Sequence, residues 1–251
     1  MKVVEHDYLD CPEDDTVIWR YMDLAQFLDV LVHEQIYFPN MNILSDKYEG
    51  TIPKNIIEQK RAELEHQGLA GRDLEEEMAS FHYFTHPMPE LSLVNCWSME
   101  RLESYALWKI YLKGSSSGVA IRSTVGALKR ALENGGDKYS EEIYMGKVRY
   151  GKHGDPNSTS RFHLLTQKMP YYSYEKELRL MIFRYPLSEG GVACKSDGPG
   201  RYVKIDVGNL VDRIYVSPFA AGWFYKTIEQ TIEKVAPDLK SKIYASRVQD
   251  S

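Results

Sequence analysis

Short β-branched and aromatic runs recur along the chain among amphipathic helical stretches, but they never fall into regular strand–helix alternation. No glycine-rich turn follows the first strand-like run either. Those two features argue against a doubly wound parallel sheet and for an α+β fold, with one central mixed or antiparallel sheet flanked by helices. Strands are expected at 16–21 (TVIWRY), 35–38 (QIYF), 91–97 (LSLVNCW), 118–123, 141–150, 175–185, 201–206, 213–217 and 242–246. Helices are expected after Asp23, at 101–112, at 124–132, at 161–168 and at 222–235. The strands around Trp19, Asn95, Ile121, Leu180 and Val216 should share the central sheet.

Residues 53–83 have a different texture, rich in Glu, Lys, Gln and Ala, with weak apolar periodicity broken near Gly68 and Gly71. They read as a helical insertion or lid within a single domain spanning 1–251. With 251 residues, 43% of them hydrophobic, the chain can bury a sizeable core. A net charge of −5 excludes a globally basic surface of the kind that grasps phosphate backbones, while leaving room for a local basic patch.

Three cysteines, Cys11, Cys96 and Cys194, lie far apart with no CxxC pair, so neither a disulfide scaffold nor a zinc ribbon is expected. A reducing, cytoplasmic setting fits that usage. No basic leader with an apolar stretch opens the chain, and no run of about 18 apolar residues suggests a membrane span. The seven histidines show no metal-ligand spacing. His82 and His86 are four apart, but Pro87 follows and no HExxH surrounds them. The run Gly114–Gly118 (GSSSG) lacks the Lys-Ser/Thr of a phosphate loop.

Three places could carry chemistry. In Glu175-Lys176-Glu177-Leu178-Arg179, positions two apart on a strand share a face, which would set two carboxylates and an arginine side by side. Such a pair raises one carboxyl pKa unless a cation compensates, and can stabilise an oxocarbenium-like transition state. The alternative is a solvated strand start in which Arg179 balances both glutamates. Arg20, among aromatic neighbours, can bind phosphate through its planar fork, or can cover apolar surface with its stem. Ser98 closes the Asn95–Ser98 block. Ser104, Trp108 and Tyr111 follow at helical spacing, giving a face suited to a nicotinamide or adenine pocket and equally to an ordinary core. Cys96 has no local signature of a nucleophile.

The landmarks WRYMDLAQFLDVLVHEQIYF, SDKYEG, NCWSMERLESYALWKIYLKGSSSGVAI, YEKELRLMI and RIYVSP, in that order, resemble a widespread bacterial family, domain of unknown function 2971. The resemblance runs from about Trp19 to Trp223. It departs at Ser45-Asp46-Lys47, where the family more often has Asn-Asp-Pro, and at Leu107, where Met is common.

The order of aromatic-Arg strand, helix, second short strand and late Glu-x-Glu strand is also similar to the ADP-ribosyltransferase core. That resemblance implies NAD as substrate and a role in cell or phage defence or as a toxin. Arg20 would hold phosphate or ribose, and Ser98, Ser104, Trp108 and Tyr111 would pack on nicotinamide. Glu177 would stabilise the ribosyl cation and Glu175 would activate a protein or nucleic-acid acceptor. The central Ser-Thr-Ser block of one branch is not evident, and Arg122-Ser123-Thr124 is only a loose echo. Two other classes remain open: a non-enzymatic sensor of a phage component or partner protein, and a metal-dependent nuclease using Asp46, Glu49 and the glutamate pair.

Overall fold

The computed structural model describes residues 1–44, 49–85, 91–136, 141–151, 160–184 and 198–248. Asp46, His86, His153, Cys194 and most of the 190–200 loop lie outside them.

Eight strands form one mixed sheet: β1 (Lys2–Val4), β2 (Val17–Asp23), β4 (Ser92–Ser98), β5 (Gly118–Thr124), β6 (Glu142–Lys147), β9 (Glu177–Phe183), β11 (Arg213–Val216) and β12 (Ile243–Ala245). Their order is β1-β6-β9-β4-β2-β5-β11-β12. The outer pairs β1–β6 and β11–β12 are parallel and the inner pairs antiparallel. The five strands expected to share a sheet do so. Two small ladders accompany it, β3 (Gln35–Pro39) with β10 (Gly200–Lys204) and β7 (Arg149–Tyr150) with β8 (Gln167–Lys168).

One face of the sheet carries the main core. Leu178, Leu180 and Ile182 of β9 and Leu93 and Trp97 of β4 meet helices α1 (Leu24–His33), α5 (Val125–Asn134) and α8 (Gly222–Val235) there. Helix α1 starts where the sequence pattern requires. The Asp23 carboxylate accepts from the Gln26 backbone N–H at 2.8 Å and the Gln26 side chain accepts from the Asp23 N–H at 3.3 Å, a reciprocal cap of the kind worth ~1 kcal/mol.

The opposite face is divided. Over β2, β5 and β11, helix α4 (Tyr105–Leu112) packs Leu107, Trp108 and Leu112 against Trp19, Tyr21, Ala120 and Tyr215. A Cβ at Gly118 would overlap the Leu112 side chain, so the bare glycine lets α4 settle on β5. Over β4 and β9, Phe162 and Leu165 of α6 (Arg161–Leu165) join Met41, Val94, Met181 and Phe183. The boundary between these apolar patches is where the polar residues collect.

Helices α2 (Lys54–His66) and α3 (Gly71–Thr85) pack on each other through Leu64, Leu74 and Met78, a small cluster separate from the three others. The remaining short helix, α7 (Val207–Leu210), contributes Val207 and Leu210 to the main core.

The structure corrects three expected elements. Helix α4 begins at Tyr105, not 101, because Ser104 caps it: the hydroxyl accepts from the Leu107 N–H at 3.4 Å. The helix expected over 161–168 stops at Leu165, and Gln167–Lys168 is strand. Strand β9 begins at Glu177, because Pro170–Glu175 forms a 3-10 turn closed by Lys176 in the left-handed region at φ 42°.

Candidate functional site

Strand β4 connects the two halves of the sheet unequally. It pairs with β9 at seven successive positions, from Ser92↔Phe183 to Ser98↔Glu177, but with β2 only at Trp19↔Ser98. Beyond that point β2 and β4 diverge and the sheet forks. Trp19, Ser98 and Glu177 therefore form one row across three strands at the base of the fork.

Arg20 spans the fork. Its Nη1 donates to the Cys96 carbonyl at 2.8 Å, and its guanidinium lies 5.8 Å from the centre of the Trp97 ring. Burial lowers its pKa from the ordinary value, against weaker upward pulls from Cys96 and Tyr111. Among the described residues no carboxylate pairs with it.

Beside β9 lies a compact charged cluster. Arg179, with no exposed surface, donates from Nε to Glu177 Oε1 at 2.8 Å and from Nη1 to the Leu165 carbonyl at 2.6 Å. Its Nη2 lies 2.7 Å from Glu49 Oε2 and 2.7 Å from Glu177 Oε1. The Lys168 ammonium stands among three carboxylates, 3.1 Å from Glu49, 2.7 Å from Glu175 and 2.8 Å from Glu177. The ladder of β7 with β8 aligns Tyr150 with Lys168, and the Tyr150 hydroxyl accepts from the Glu177 backbone N–H at 2.8 Å.

Charge balance and burial set the protonation states. Burial pushes Glu177 up, but Arg179 and Lys168 outweigh it and hold the carboxyl at about 2, so it is ionised. Glu175 is pushed above its ordinary value by burial, which Lys168 opposes and Glu177 and Glu49 reinforce. Cys96 is pushed well up by burial and by the neighbouring Glu177, so its sulfur is a thiol and not a nucleophile. Tyr111 is 42% exposed, yet desolvation at its inner end, with Cys96, Glu177 and Glu175 close by, pushes its hydroxyl far up.

The residues singled out in the sequence separate into two groups. Arg20, Tyr111 and Glu177 lie around Cys96, Glu175 sits near Tyr111 and is tied to Glu177 through Lys168, and Ser98 lies opposite Glu177 with its hydroxyl accepting from the Glu100 N–H at 3.4 Å. Ser104 and Trp108 do not join them. Ser104 is committed to capping α4, and its N–H donates to the Tyr21 hydroxyl at 2.9 Å. Trp108 has no exposed surface, packs in the core and donates its indole N–H to Glu103 at 2.8 Å. Glu175 and Glu177 do not share a strand face as expected, since Glu175 lies in the turn before β9. It is Lys168 that brings them together.

Lys168 itself was invisible in the sequence, because a two-residue strand leaves no alternation to read. Tyr150 was hidden in the same way. Among the described residues no group of three or more His, Cys, Asp and Glu side chains is arranged to hold a metal ion, and the centre of the carboxylate cluster is taken by the Lys168 ammonium. Among the same residues no helix is long and apolar enough to cross a membrane.

No family model matches the chain, and no curated protein matches it, so the resemblance to domain of unknown function 2971 rests on its motifs alone. Among solved structures, Thermus sp. 2.9 DarT in complex with ADP-ribosylated ssDNA is similar over 97% of this chain and 97% of its own, at 9% identity and a TM-score of 0.36, a likeness too slight to carry an argument.

Proposed function

We propose that the chain binds NAD at the fork between β2 and β4, cleaves the nicotinamide–ribose bond and passes ADP-ribose to a protein or nucleic-acid acceptor. One observation carries the reading. An arginine with no carboxylate partner among the described residues and an ionised carboxylate lie on opposite sides of Cys96, with the part-exposed Tyr111 beside both.

That arrangement suits a ligand that is anionic at one end and develops positive charge at the other. Arg20 offers N–H donors to a diphosphate, which binds a planar fork well. When the glycosidic bond breaks, the electron pair leaves with nicotinamide as a neutral molecule, and positive charge grows on the ribose. A fixed carboxylate beside that charge stabilises it without reorganising. Glu177 is held on a rigid strand by Arg179, and Tyr111 offers a ring edge for the nicotinamide end.

The complete pairing of Glu177 favours a second reading, in which the cluster is structural and the chain is an interaction module. Nicotinamide release from NAD by the purified protein separates the two. The first reading expects release by the wild type and, for Arg20→Ala, NAD binding weakened roughly 10- to 100-fold, the loss typical of a charged hydrogen bond. A wild type that neither binds NAD nor releases nicotinamide leaves the interaction module standing.

A further inference from the structure

The charged cluster contains three carboxylates and two cations, and it does not treat the carboxylates alike. Both oxygens of Glu177 are occupied, Oε1 by Arg179 at 2.8 Å and Oε2 by Lys168 at 2.8 Å. Glu49 has one oxygen 3.1 Å from Lys168 and the other 2.7 Å from Arg179 Nη2, the latter an ion contact without hydrogen-bond geometry deep in the cluster. Glu175 stands apart. Its Oε2 accepts from Lys168 at 2.7 Å, and among the described residues its Oε1 has no partner. Its side chain is 13% exposed, against 3% for Glu177 and 2% for Glu49.

We propose that Lys168 is a positioning residue that divides the labour between the two glutamates: it anchors Glu177 as a fixed charge and holds Glu175 by one oxygen, leaving the other to face the acceptor. This rests on the ADP-ribosyl transfer reading. In the transfer step the C1′–N bond of NAD breaks and its electron pair goes to nicotinamide. A lone pair of the acceptor forms the new bond to C1′, and the acceptor's proton passes to Glu175 Oε1. Glu177 cannot take that proton without giving up a bond to Lys168 or Arg179.

The groups facing Glu175 are Lys168 from β8, Glu177 from β9, Glu49 from the turn ahead of α2, Tyr111 from α4, Tyr150 from β7 and Tyr174 from its own turn. Lys168 is the only cation among them. Burial and the two carboxylates raise Glu175 above its ordinary value, which strengthens it as a base, while Lys168 pulls the other way.

The test uses two readouts on the full chain. In the free protein, carboxyl resonances of isotopically labelled glutamate are followed against pH. Glu175 is expected to titrate above an ordinary glutamate, and Lys168→Met is expected to move it further up. An unmoved Glu175 midpoint in a folded Lys168→Met protein overturns the proposal, whether or not the chain acts on NAD. In turnover, Glu175→Gln is expected to lose on the order of 10²–10³ in kcat, with NAD binding retained and the acid limb of the pH profile abolished. A Glu175→Gln variant with wild-type kcat also overturns it.

Should Lys168→Met fail to fold, Lys168→Arg replaces the point charge by a planar fork. It is expected to shift the acid limb without changing the KM for NAD, and an unshifted limb counts against the proposal. Absence of nicotinamide release by the wild type would defeat the ADP-ribosyl transfer reading alone, and the carboxyl titration would still decide what Lys168 does.

Discussion

Two of the arginine–glutamate pairs in this molecule have opposite consequences. Arg61 of α2 and Glu75 of α3 form a two-pronged ion pair at 2.7 and 3.1 Å, with 41% and 63% of their side chains in solvent. Arg179 and Glu177 form a comparable pair at 2.8 and 2.7 Å with almost no exposure. Contact distances are similar; the medium is not. Exposed charges are screened and lose little when separated, whereas a buried charge that loses its partner has no water to replace it. The hairpin pair decorates a surface. The buried pair, with Glu49 and Lys168, fixes where the Glu49 turn, the β7–β8 ladder and strand β9 meet.

The largest expected effect follows directly. Arg179→Met leaves Glu49 and Glu177 buried with Lys168 as their one remaining cation, and should destabilise the fold by about 3–5 kcal/mol, measured by urea denaturation at pH 7. A loss near zero would put the cluster on the same footing as the hairpin pair.

Acid should expose the second-largest difference. Glu177 titrates at about 2 in the folded chain against an ordinary 4.5, so its stabilisation is complete above pH 4.5 and disappears as pH falls towards 2. At 1.36 kcal/mol per pH unit this is on the order of 3 kcal/mol. Glu175 has the opposite sign, because a raised carboxyl favours folding when protonated, and it offsets part of that loss as pH falls through its own midpoint. Denaturation followed from pH 7 to pH 2.5 should show this in wild type and a much weaker pH dependence in Glu177→Gln.

The smallest effect belongs to the hairpin. Glu75→Gln should leave the melting temperature unchanged within measurement error. A measurable drop would mean that α2 and α3 depend on that pair more than exposed ion pairs do.

The two regions also differ in how far the sequence disclosed them. Strands β2 and β5 were legible as β-branched and aromatic runs bounded by turn or cap residues, and helix α1 by its capped apolar stripe. In β9 every residue is buried, so hydrophobic alternation is masked. Glu177 and Arg179 occupy the same face as Met181 and Phe183, and polar and apolar residues there are separated along the strand instead of between its faces. The Glu-x-Glu run pointed to the right neighbourhood but misplaced Glu175, since a left-handed Lys176 between the two glutamates is not a conformation the sequence signals. Long-range partners were beyond reach: Lys168 and Glu49 meet Glu177 only through the packing of a two-residue strand and a turn.

The most direct test of the central claim is the structure of the chain with a non-cleavable NAD analogue. A diphosphate oxygen within hydrogen-bond reach of Arg20, about 2.7–3.2 Å, with the ribose C1′ turned towards Glu175 and Glu177, is the predicted result. An analogue bound away from the fork, with Arg20 still on the Cys96 carbonyl alone, would contradict the account.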